Sequence, residues 1–301
     1  MNILVTGSKG QLGTYIRSLA DDSQHRYFFT DVDELDICRR DAVFNYILTN
    51  GINVVINCAA YTNVEMAEDN EADAELVNAT AVRHLADAMK VSGGTLIHIS
   101  TDYVFGGGGF NRPIREDDDI NPTGAYGRTK AHGEQAIAEV GCHAIVIRSA
   151  WLYSEYGKNF FKTMLRLFSE KDTLNVVFDQ VGTPTYAGDL ARLVVKIVEG
   201  ENLRNLGGIY NFTDEGVCSW YDFATEIKRC SEGYVSDSEN QEDVHRCKIL
   251  PCLSSEFPSK VVRPSYSVLD KSKVKRTFGI VIPHWTESLS ICMHNYRQIL
   301  S

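Results

Sequence analysis

The sequence has few features of a membrane protein or a nucleic-acid-binding protein. No apolar run approaches the ~20 residues that a membrane-spanning helix needs. Acidic residues outnumber basic ones, with 40 Asp and Glu against 30 Lys and Arg and a formal net charge of -10, which argues against a nucleic-acid surface. No secretory signal precedes the first predicted strand. We therefore expect a cytoplasmic protein that has neither a membrane nor a nucleic acid as its partner.

Metal-binding and disulfide patterns are also lacking. The eight cysteines include no Cys-x-x-Cys pair, and Cys247 and Cys252 have only His245 near them, so no metal site is predicted. Thiols of a cytoplasmic protein stay reduced, and several of these stand in apolar runs that are typical of buried positions. An apolar content of 44% over 301 residues is ample for the core of one large domain or two coupled ones.

A glycine-rich turn is present close to the start of the sequence. Gly7, Gly10 and Gly13 stand between an apolar run at 2–6, which predicts a buried strand, and an amphipathic helix predicted at 11–20. This is the context of the dinucleotide-binding fingerprint, in which the backbone and the positive end of the helix dipole meet a pyrophosphate. The spacing differs by one residue from the commonest form. A purely structural turn is the alternative.

An acidic residue follows the second predicted strand. Asp31 comes directly after a strand at 27–30 and about 20 residues beyond the glycines, where a carboxylate meets the adenosine ribose hydroxyls. A carboxylate repels a 2′-phosphate and so favours NADH over NADPH. Lys9 and Arg39 or Arg40 can offset that preference, so the cofactor is expected to be NADPH or NADH.

Strands and helices alternate through the first half of the chain. Further strands are predicted at 54–57, 95–100 and 144–148, and a helix at 71–89. This rhythm predicts an α/β fold, a Rossmann-type doubly wound parallel sheet that binds ligands at the carboxyl ends of its strands. Five candidate site residues fall at those ends, namely Gly10, Asp31, Ala60, Thr101 and Trp151.

Beyond residue 150 the pattern changes, and a smaller C-terminal α/β substrate lobe is expected. Helices are predicted at 159–169, 187–198 and 220–229, the last capped by Ser219, with a strand at 173–178 and a loop over the polar stretch 233–242. We assign residues 1–150 and about 187–199 to the dinucleotide-binding domain. Residues of about 151–186 and 200–301 are assigned to the lobe.

Tyr126 and Lys130 form a second motif, Tyr-x-x-x-Lys. Residues four apart share one face of a helix, so the ammonium group can lie beside the phenol. A phenol loses its proton near pH ~10, and a neighbouring cation lowers that value, which makes tyrosine a usable acid or base near neutrality. An exposed helix face is the alternative, because both residue types are common.

With these and further motifs in one order, the chain resembles the dTDP-4-dehydrorhamnose reductases, a family of extended short-chain dehydrogenase/reductases. The resemblance covers nearly the whole length. The segments that carry it are MNILVTG at 1–7, GQLG at 10–13, NCAAYT at 57–62, STDYVF at 100–105, YGRTK at 126–130, RSAW at 148–151, NFFKTM at 159–164, DQVGTPT at 179–185 and RP at 263–264.

The resemblance implies reduction of the C4 ketone of dTDP-4-dehydro-L-rhamnose, in the supply of rhamnose for surface polysaccharide. Tyr126 would donate the proton, Lys130 would bind the nicotinamide ribose and lower the Tyr126 pKa, and the Thr101 hydroxyl would bind the carbonyl oxygen. The partner would be a small-molecule nucleotide sugar, and the enzyme a monomer or a homodimer.

Together, the motifs and the resemblance give two sets of predicted site residues. The cofactor-binding residues are Gly7, Gly10, Gln11, Leu12, Gly13, Asp31, Asp36, Ile37, Ala60, Tyr61, Thr62, Ile99, Tyr126 and Lys130. The substrate-binding residues are Thr101, Asp102, Tyr103, Trp151 and Arg263.

Several of these residues have a second interpretation. In an acidic chain the diphosphate needs local donors, for which Arg263 is predicted ahead of Arg148, which can be structural. Trp151 offers a flat apolar face to a deoxysugar ring, or is a core aromatic. Asp102 can cap a turn, and Asp36 can cap the next helix.

Other functions remain open at this point. The substrate can be another 4-keto sugar nucleotide, or the enzyme can be an epimerase or a dehydratase. The chain can also be a catalytically silent regulatory or binding subunit, although Thr101, Tyr126 and Lys130 are intact. A 4,6-dehydratase usually carries an added acid/base pair beside the threonine, and the sequence here continues with Asp102 and Tyr103, which disfavours dehydration.

One departure concerns assembly. Some relatives bridge two subunits through a metal held by acidic residues, and the corresponding positions here are Tyr15, Gly188 and Thr286. None of these is a ligand of that type, so a metal-bridged dimer is not expected.

Overall fold

The computed structural model describes residues 1–200, 202–232 and 247–300. The strands in this part of the chain are β1 (Asn2–Thr6), β2 (Arg26–Phe29), β3 (Val54–Asn57), β4 (Thr95–Thr101), β5 (His143–Ser149), β6 (Leu152–Tyr153), β7 (Thr173–Val177), β8 (Val181–Gly182), β9 (Thr185–Tyr186), β10 (Gly208–Asn211), β11 (Cys218–Ser219) and β12 (Lys248–Cys252). The helices are α1 (Gln11–Ala20), α2 (Arg40–Thr49), α3 (Val64–Asp69), α4 (Glu71–Glu75), α5 (Ala81–Ser92), α6 (Ala125–Val140), α7 (Phe160–Glu170), α8 (Ala187–Glu199), α9 (Trp220–Glu232), α10 (Ser272–Phe278) and α11 (Trp285–Leu300).

The central sheet has six parallel strands in the order β2-β1-β3-β4-β5-β10. The predicted Rossmann-type doubly wound sheet is therefore confirmed. Because β1 lies between β2 and β3, the chain direction across the sheet reverses beside β1, and a crevice opens there at the carboxyl ends of the strands. The glycine turn follows β1 directly and so lies in this crevice.

Both faces of the sheet are covered by helices, which explains why its strands read as continuous apolar runs. Ile3 and Val5 of β1 point into one core layer with Leu190 and Val194 of α8. Leu4, between them, points into the opposite layer, which includes side chains of α2 and α5. Alternate residues of one strand thus belong to different layers, as the two-residue period of a strand requires.

A smaller core lies beside the sheet. Helices α7, α9 and α11 pack around a cluster of aromatic and aliphatic side chains that includes Phe161, Phe168, Phe223 and Leu289. Short strands flank this cluster: β7 and β12 form a parallel pair, and β8 and β11 form an antiparallel pair. Ser219 accepts a hydrogen bond from the amide of Asp222 at 3.1 Å, so the predicted cap of α9 is confirmed.

The structure corrects the predicted limits in one place. Residues 208–211 were assigned to the lobe, but they form β10, the edge strand of the central sheet beside β5. The following helix α10 packs its Val274 and Phe278 into the core layer of that sheet. This strand follows Gly207 directly and is too short for the two-residue hydrophobic period of a strand to be recognised in the sequence. The stretch 233–242, predicted to be a loop, lies outside the described residues.

The predicted helix over 71–89 is interrupted rather than regular. Leu76–Thr80 forms a turn of π-helix that joins α4 to α5. Among the described residues, no helix has both the length and the apolar character that crossing a membrane requires.

Candidate active site

The glycine turn has the geometry that the fingerprint predicts. Gly7 has a φ of +62°, and a Cβ at this position would lie 2.7 Å from the backbone of Ala59, so only glycine fits. A Cβ at Gly13 would lie 2.5 Å from the carbonyl oxygen of Gly7, which shows how closely α1 packs against the turn. The first turn of α1 has no side-chain cap, and Gly10 precedes it. Its amides therefore stay available to an anion.

Asp31 lies beside this turn, at the end of β2. Its carboxylate accepts hydrogen bonds from the amides of Lys9 at 3.1 Å and Val32 at 2.9 Å. The Lys9 ammonium group, named above as a possible partner of a 2′-phosphate, pairs instead with Asp33 and Glu34 at 3.2 and 3.1 Å. Asp31 thus also fixes the glycine turn to the neighbouring strand.

Asp36 and Arg40 complete the edge of this crevice. The side chain of Asp36 accepts from the amide of Cys38 at 2.9 Å, whereas α2 begins later, after Arg39. The interpretation of Asp36 as the cap of the next helix is therefore wrong, because the carboxylate closes a local turn instead. Arg40 lies over the ring of Phe44 at 4.3 Å, and Ile37 is buried in the core beneath.

Gln11, at the start of α1, connects the turn to the smaller core. Its side-chain oxygen accepts hydrogen bonds from Ser154 at 2.9 Å and from the amide group of Asn159 at 2.8 Å. Asn159 also caps α7. The next residue, Leu12, is buried in the sheet core, so α1 is anchored on both sides.

The loop after β3 carries the predicted cofactor positions Ala60, Tyr61 and Thr62. A single buried side chain, that of Asn78, accepts from the Tyr61 amide at 2.9 Å and donates to the Tyr61 carbonyl at 3.1 Å. Asn78 also donates to the hydroxyl of Thr129 in α6 at 3.1 Å. It lies in the π-helical turn, so sequence reasoning missed it: the period of a regular helix does not mark it.

Tyr126 and Lys130 lie one turn apart in α6. The helix starts beside Glu68 of α3, whose carboxylate accepts from the Ala125 amide at 2.7 Å. A Cβ at Gly127 would lie 2.5 Å from the carbonyl oxygen of Tyr103, so α6 touches the backbone that follows β4. The Tyr126 and Tyr103 rings meet edge to face, with centroids 5.4 Å apart.

Lys130 is buried and points at β4. Its Nζ donates to the carbonyl oxygen of Ile99 at 2.7 Å and lies 3.4 Å from Nε2 of His98. Burial lowers the pKa of Lys130 to about 8. Burial also raises the pKa of Tyr126 above its ordinary value, against a lowering by the Thr101 hydroxyl. The effect that lowers the Tyr126 pKa in this structure thus comes from Thr101 and not from Lys130, and loss of hydration outweighs it.

Thr101 and Asp102 end β4 next to Tyr126. The Thr101 hydroxyl accepts from the Tyr103 amide at 3.3 Å and donates to Oδ1 of Asp102 at 3.0 Å. Burial raises the pKa of Asp102 to about 7. Its second oxygen, Oδ2, makes no hydrogen bond of normal geometry among the described residues, although the Ser267 hydroxyl lies near enough to the carboxyl group to lower its pKa. A buried, unpaired acceptor is costly unless a ligand supplies a donor, which a sugar hydroxyl does.

Trp151 has a positive φ of 51°, the one non-glycine residue of the described chain in that region. Such a backbone is strained and is typical of functional sites. Its indole stacks on that of Trp220, with centroids 3.6 Å apart and an angle of 12° between the planes. One of its two faces is thus covered, and a Cβ at Gly182 would lie 2.8 Å from the indole, so only the remaining part of the ring is available to a sugar.

Arg263 and Arg148 have different surroundings. Arg263 donates to Glu65 of α3 at 3.0 Å, and about a third of its side chain is exposed. Arg148 is buried and donates two hydrogen bonds to Glu134, at 2.7 and 3.0 Å. Arg148 is therefore a structural residue, and Arg263 is the arginine that a ligand can reach.

The three positions compared with metal-bridged relatives have local partners. The Tyr15 hydroxyl bonds to Glu155 and Tyr186, and Gly188 packs against the Tyr15 and Tyr186 rings. Thr286 contacts the ring of His284 at 2.9 Å. Within the described ranges there is no cluster of three or more His, Cys, Asp or Glu side chains arranged to hold a metal ion.

These features fit a dinucleotide. The uncapped start of α1 suits a pyrophosphate, and Asp31 suits a ribose. Gly7 approaches the backbone of Ala59 so closely that no side chain fits at position 7. Next to it, a buried threonine and lysine and a half-buried tyrosine lie at the end of β4 and in the first turns of α6, a set that can hydrogen-bond and protonate a carbonyl oxygen.

Comparison with known proteins agrees with this chemistry. A sequence model of the family described as RmlD substrate binding domain matches residues 1–298. The dTDP-4-dehydrorhamnose reductase of Aggregatibacter actinomycetemcomitans is 38% identical over 293 residues, which are 95% of this chain and 96% of that protein.

Solved structures give the same result. A dTDP-4-dehydrorhamnose reductase from Clostridium acetobutylicum superposes with a TM-score of 0.90 at 40% identity, over 99% of this chain and 100% of that one. The Bacillus anthracis dTDP-4-dehydrorhamnose reductase, solved in complex with NADP, has a TM-score of 0.87 at 32% identity, over 98% of this chain and 99% of that one. The chain therefore belongs to the RmlD substrate binding domain family, the family of the dTDP-4-dehydrorhamnose reductases.

Proposed function

We propose that this oxidoreductase reduces the C4 ketone of dTDP-4-dehydro-L-rhamnose to dTDP-L-rhamnose, with Tyr126 as the proton donor. The observation that carries the proposal is the meeting of Thr101, Tyr126 and Lys130 beside the glycine turn of a nicotinamide-binding fold. Family membership supplies the sugar nucleotide as the substrate class.

In this mechanism each side chain has one task. A bound NADPH or NADH supplies the hydride that reduces the carbonyl carbon. The Thr101 hydroxyl hydrogen-bonds the carbonyl oxygen, and Tyr126 gives that oxygen its proton as negative charge develops on it. The raised pKa of Tyr126 keeps the phenol protonated, which suits an acid in the direction of reduction.

The substrate would be held from three sides. Asp102 accepts a hydrogen bond from a sugar hydroxyl through Oδ2, and the part of the Trp151 indole that Trp220 and Gly182 leave uncovered contacts the sugar ring. Arg263 binds the diphosphate, because it is near enough to Tyr103 to lower the pKa of that phenol, about a third of its side chain is exposed, and a guanidinium matches phosphate oxygens. Tyr103 borders the same space through its contact with Tyr126.

The cofactor would lie over the glycine turn. Gly7, Gly10 and Gly13 bring the backbone to the pyrophosphate, and Asp31 meets the adenosine ribose. The remaining predicted contacts line the crevice around it, namely Gln11, Leu12, Asp36, Ile37, Ala60, Tyr61, Thr62, Ile99 and Lys130.

We also propose a division of labour between the two parts of the chain. Residues 1–150, α8 and β10 bind the dinucleotide, and most of the rest forms the lobe that binds the nucleotide sugar. The protein acts as a monomer or a homodimer in the cytoplasm.

The test is oxidation of NADPH and NADH with dTDP-4-dehydro-L-rhamnose, in the wild type and in Tyr126→Phe. Loss of turnover by roughly 10²–10⁴-fold with unchanged cofactor affinity is expected for a lost proton donor. Tyr210→Phe, at the edge of the sheet, is the matched control. Undiminished turnover in Tyr126→Phe would contradict the role of the phenol. No turnover in a wild type that binds cofactor would point to another keto sugar or to a regulatory subunit.

A further inference from the structure

His98 is a buried histidine that the proposed reaction does not use. It lies in β4 with no exposed surface, three residues before Thr101. Its Nδ1 is 3.0 Å from the side-chain nitrogen of Asn57, and its Nε2 is 3.4 Å from Nζ of Lys130. The imidazole is thus clamped between a strand residue and the lysine next to the proposed proton donor.

The orientation of the Asn57 amide is fixed by its other contacts. Its oxygen accepts from the backbone amide of Ala59 at 3.2 Å and from the hydroxyl of Thr6 at 2.7 Å. A backbone amide can only donate, so the Asn57 oxygen must face it. The nitrogen of Asn57, which can only donate, consequently faces Nδ1 of His98.

When Lys130 is charged, the hydrogen-bond donors that face the His98 ring outnumber its acceptors. Burial and the charge of Lys130 hold the pKa of His98 well below its usual range, so the ring is neutral and has one acceptor nitrogen. Asn57 and an ammonium group both need that acceptor. Whichever ring nitrogen carries the proton, either Asn57 or the Lys130 ammonium group then faces an N–H group instead of an acceptor. A neutral Lys130 amine removes the conflict, because it accepts from Nε2–H while Asn57 donates to Nδ1.

We propose that His98 is a positioning residue for Lys130, which it provides with a partner that only the neutral amine satisfies, and that it thereby sets the pH range of the reduction. The inference rests on the function proposed above. It concerns the charge of the lysine and not the identity of the proton donor, which remains Tyr126.

Other groups near Lys130 act in the opposite direction. Glu134, one turn later in α6, favours the ammonium form, and Cys58, after β3, would do so only as a thiolate, which burial disfavours by raising its pKa to about 12. Glu134 is paired with Arg148, which weakens its effect on the lysine. The Ile99 carbonyl accepts from Lys130 in either charge state. Among these neighbours, His98 is the one that opposes the charge through a hydrogen bond.

The consequence is a loss of charge from Lys130 slightly above neutral pH, consistent with its pKa of about 8. As the pH rises through this value, the lysine ceases to stabilise a developing negative charge on Tyr126. Reduction therefore slows on the alkaline side at a pH to which the burial of Lys130 and its contact with His98 both contribute.

Two substitutions separate this role from packing. His98→Gln places a carbonyl oxygen near Lys130, which the ammonium group can use as an acceptor. His98→Asn keeps an acceptor for Asn57 and leaves nothing opposite Lys130. The matched control is His143→Gln, since His143 starts the neighbouring strand β5 at the amino end of the strands, away from Lys130, and contacts the Thr95 hydroxyl at 3.1 Å.

Two readouts are needed. The first is an NMR titration of the Lys130 side chain in protein with isotope-labelled lysine, assigned with Lys130→Met; it requires no substrate. The second is the pH profile of kcat/KM. We expect His98→Gln to raise both the lysine midpoint and the alkaline limb by about one pH unit, with a smaller rise in His98→Asn and none in His143→Gln.

The outcomes are distinguishable. A lysine midpoint that stays unchanged in a folded His98→Gln or His98→Asn variant overturns the inference, as does a fall in activity with no movement of the alkaline limb. A wild type without turnover would contradict the proposed function, while the lysine titration would still test His98.

Discussion

The indole of Trp151 lies flat on that of Trp220, with ring centres 3.6 Å apart, although the Trp151 backbone has a φ of 51°. The stack holds a strained residue in place at the end of β5. We expect Trp220→Ala to raise the KM for the nucleotide sugar roughly three- to tenfold, since such aromatic pairs contribute about 0.5–1.5 kcal/mol. The cofactor dissociation constant should not change.

Trp220→Phe is the control for that prediction, because phenylalanine retains a flat ring on the same helix. It should keep most of the affinity. Equal KM values for wild type and Trp220→Ala would show that the stack serves the core alone.

Arg263 is expected to bind the substrate rather than only Glu65. Arg263→Gln should raise the KM for the nucleotide sugar about ten- to a hundredfold with little change in kcat, because a charged hydrogen bond contributes roughly 1.5–3 kcal/mol. The measurement is steady-state kinetics at saturating cofactor. Arg128→Gln, which removes a similar exposed ion pair with Glu71, is the control and should leave KM unchanged. An unaltered KM in Arg263→Gln would mean that the arginine only joins the two lobes and does not bind the substrate.

Asp102 should make stability depend on pH. Its pKa of about 7 in the folded protein is above the ordinary value, so the folded state keeps a proton that the unfolded state has already lost. This contribution is complete at pH values below the ordinary pKa and is lost as the pH rises through about 7. The unfolding free energy of wild type should therefore fall relative to that of Asp102→Asn, by roughly 2–4 kcal/mol between pH 4 and 8.

Denaturant unfolding at several pH values checks this expectation. A difference between wild type and Asp102→Asn that is the same at every pH would mean that the carboxyl group is not protonated in the folded protein.

Asn78 is expected to stabilise both the fold and the cofactor loop. Asn78→Ala leaves the amide and the carbonyl of Tyr61 without their partner, which should cost about 3 kcal/mol of unfolding free energy and weaken NADPH binding. Unfolding and cofactor titrations measure the two effects. Asn45→Ala, at an exposed position in α2, should change neither. Retained stability in Asn78→Ala would indicate that the loop is held by its backbone alone.

The sequence predicted those features that depend on short segments. The strand–turn–helix around Gly7 and the helix that carries Tyr126 and Lys130 are local patterns, and the structure contains both. The assignment of individual residues to the cofactor and the substrate stays a prediction.

Other features depend on residues far apart in the sequence, and no local pattern marks them. The pair of Glu65 and Arg263 joins residues 198 positions apart. Strand β10 is recognisable only beside β5, and the bond from Asn78 to Tyr61 needs a π-helical turn. The clash of donors around His98 appears only when three strands and α6 are brought together.

Gln11 has a consequence for how the two ligands influence each other. Its backbone belongs to the first turn of α1, where the pyrophosphate is expected, and its side chain holds Ser154 and Asn159 of the other core. We expect a shift of this residue on binding of the dinucleotide to move Ser154 and Asn159, which belong to the lobe proposed to bind the nucleotide sugar. Coupling free energies are reciprocal. The factor by which the bound dinucleotide changes the affinity for the sugar nucleotide is therefore also the factor by which the bound sugar nucleotide changes the affinity for the dinucleotide.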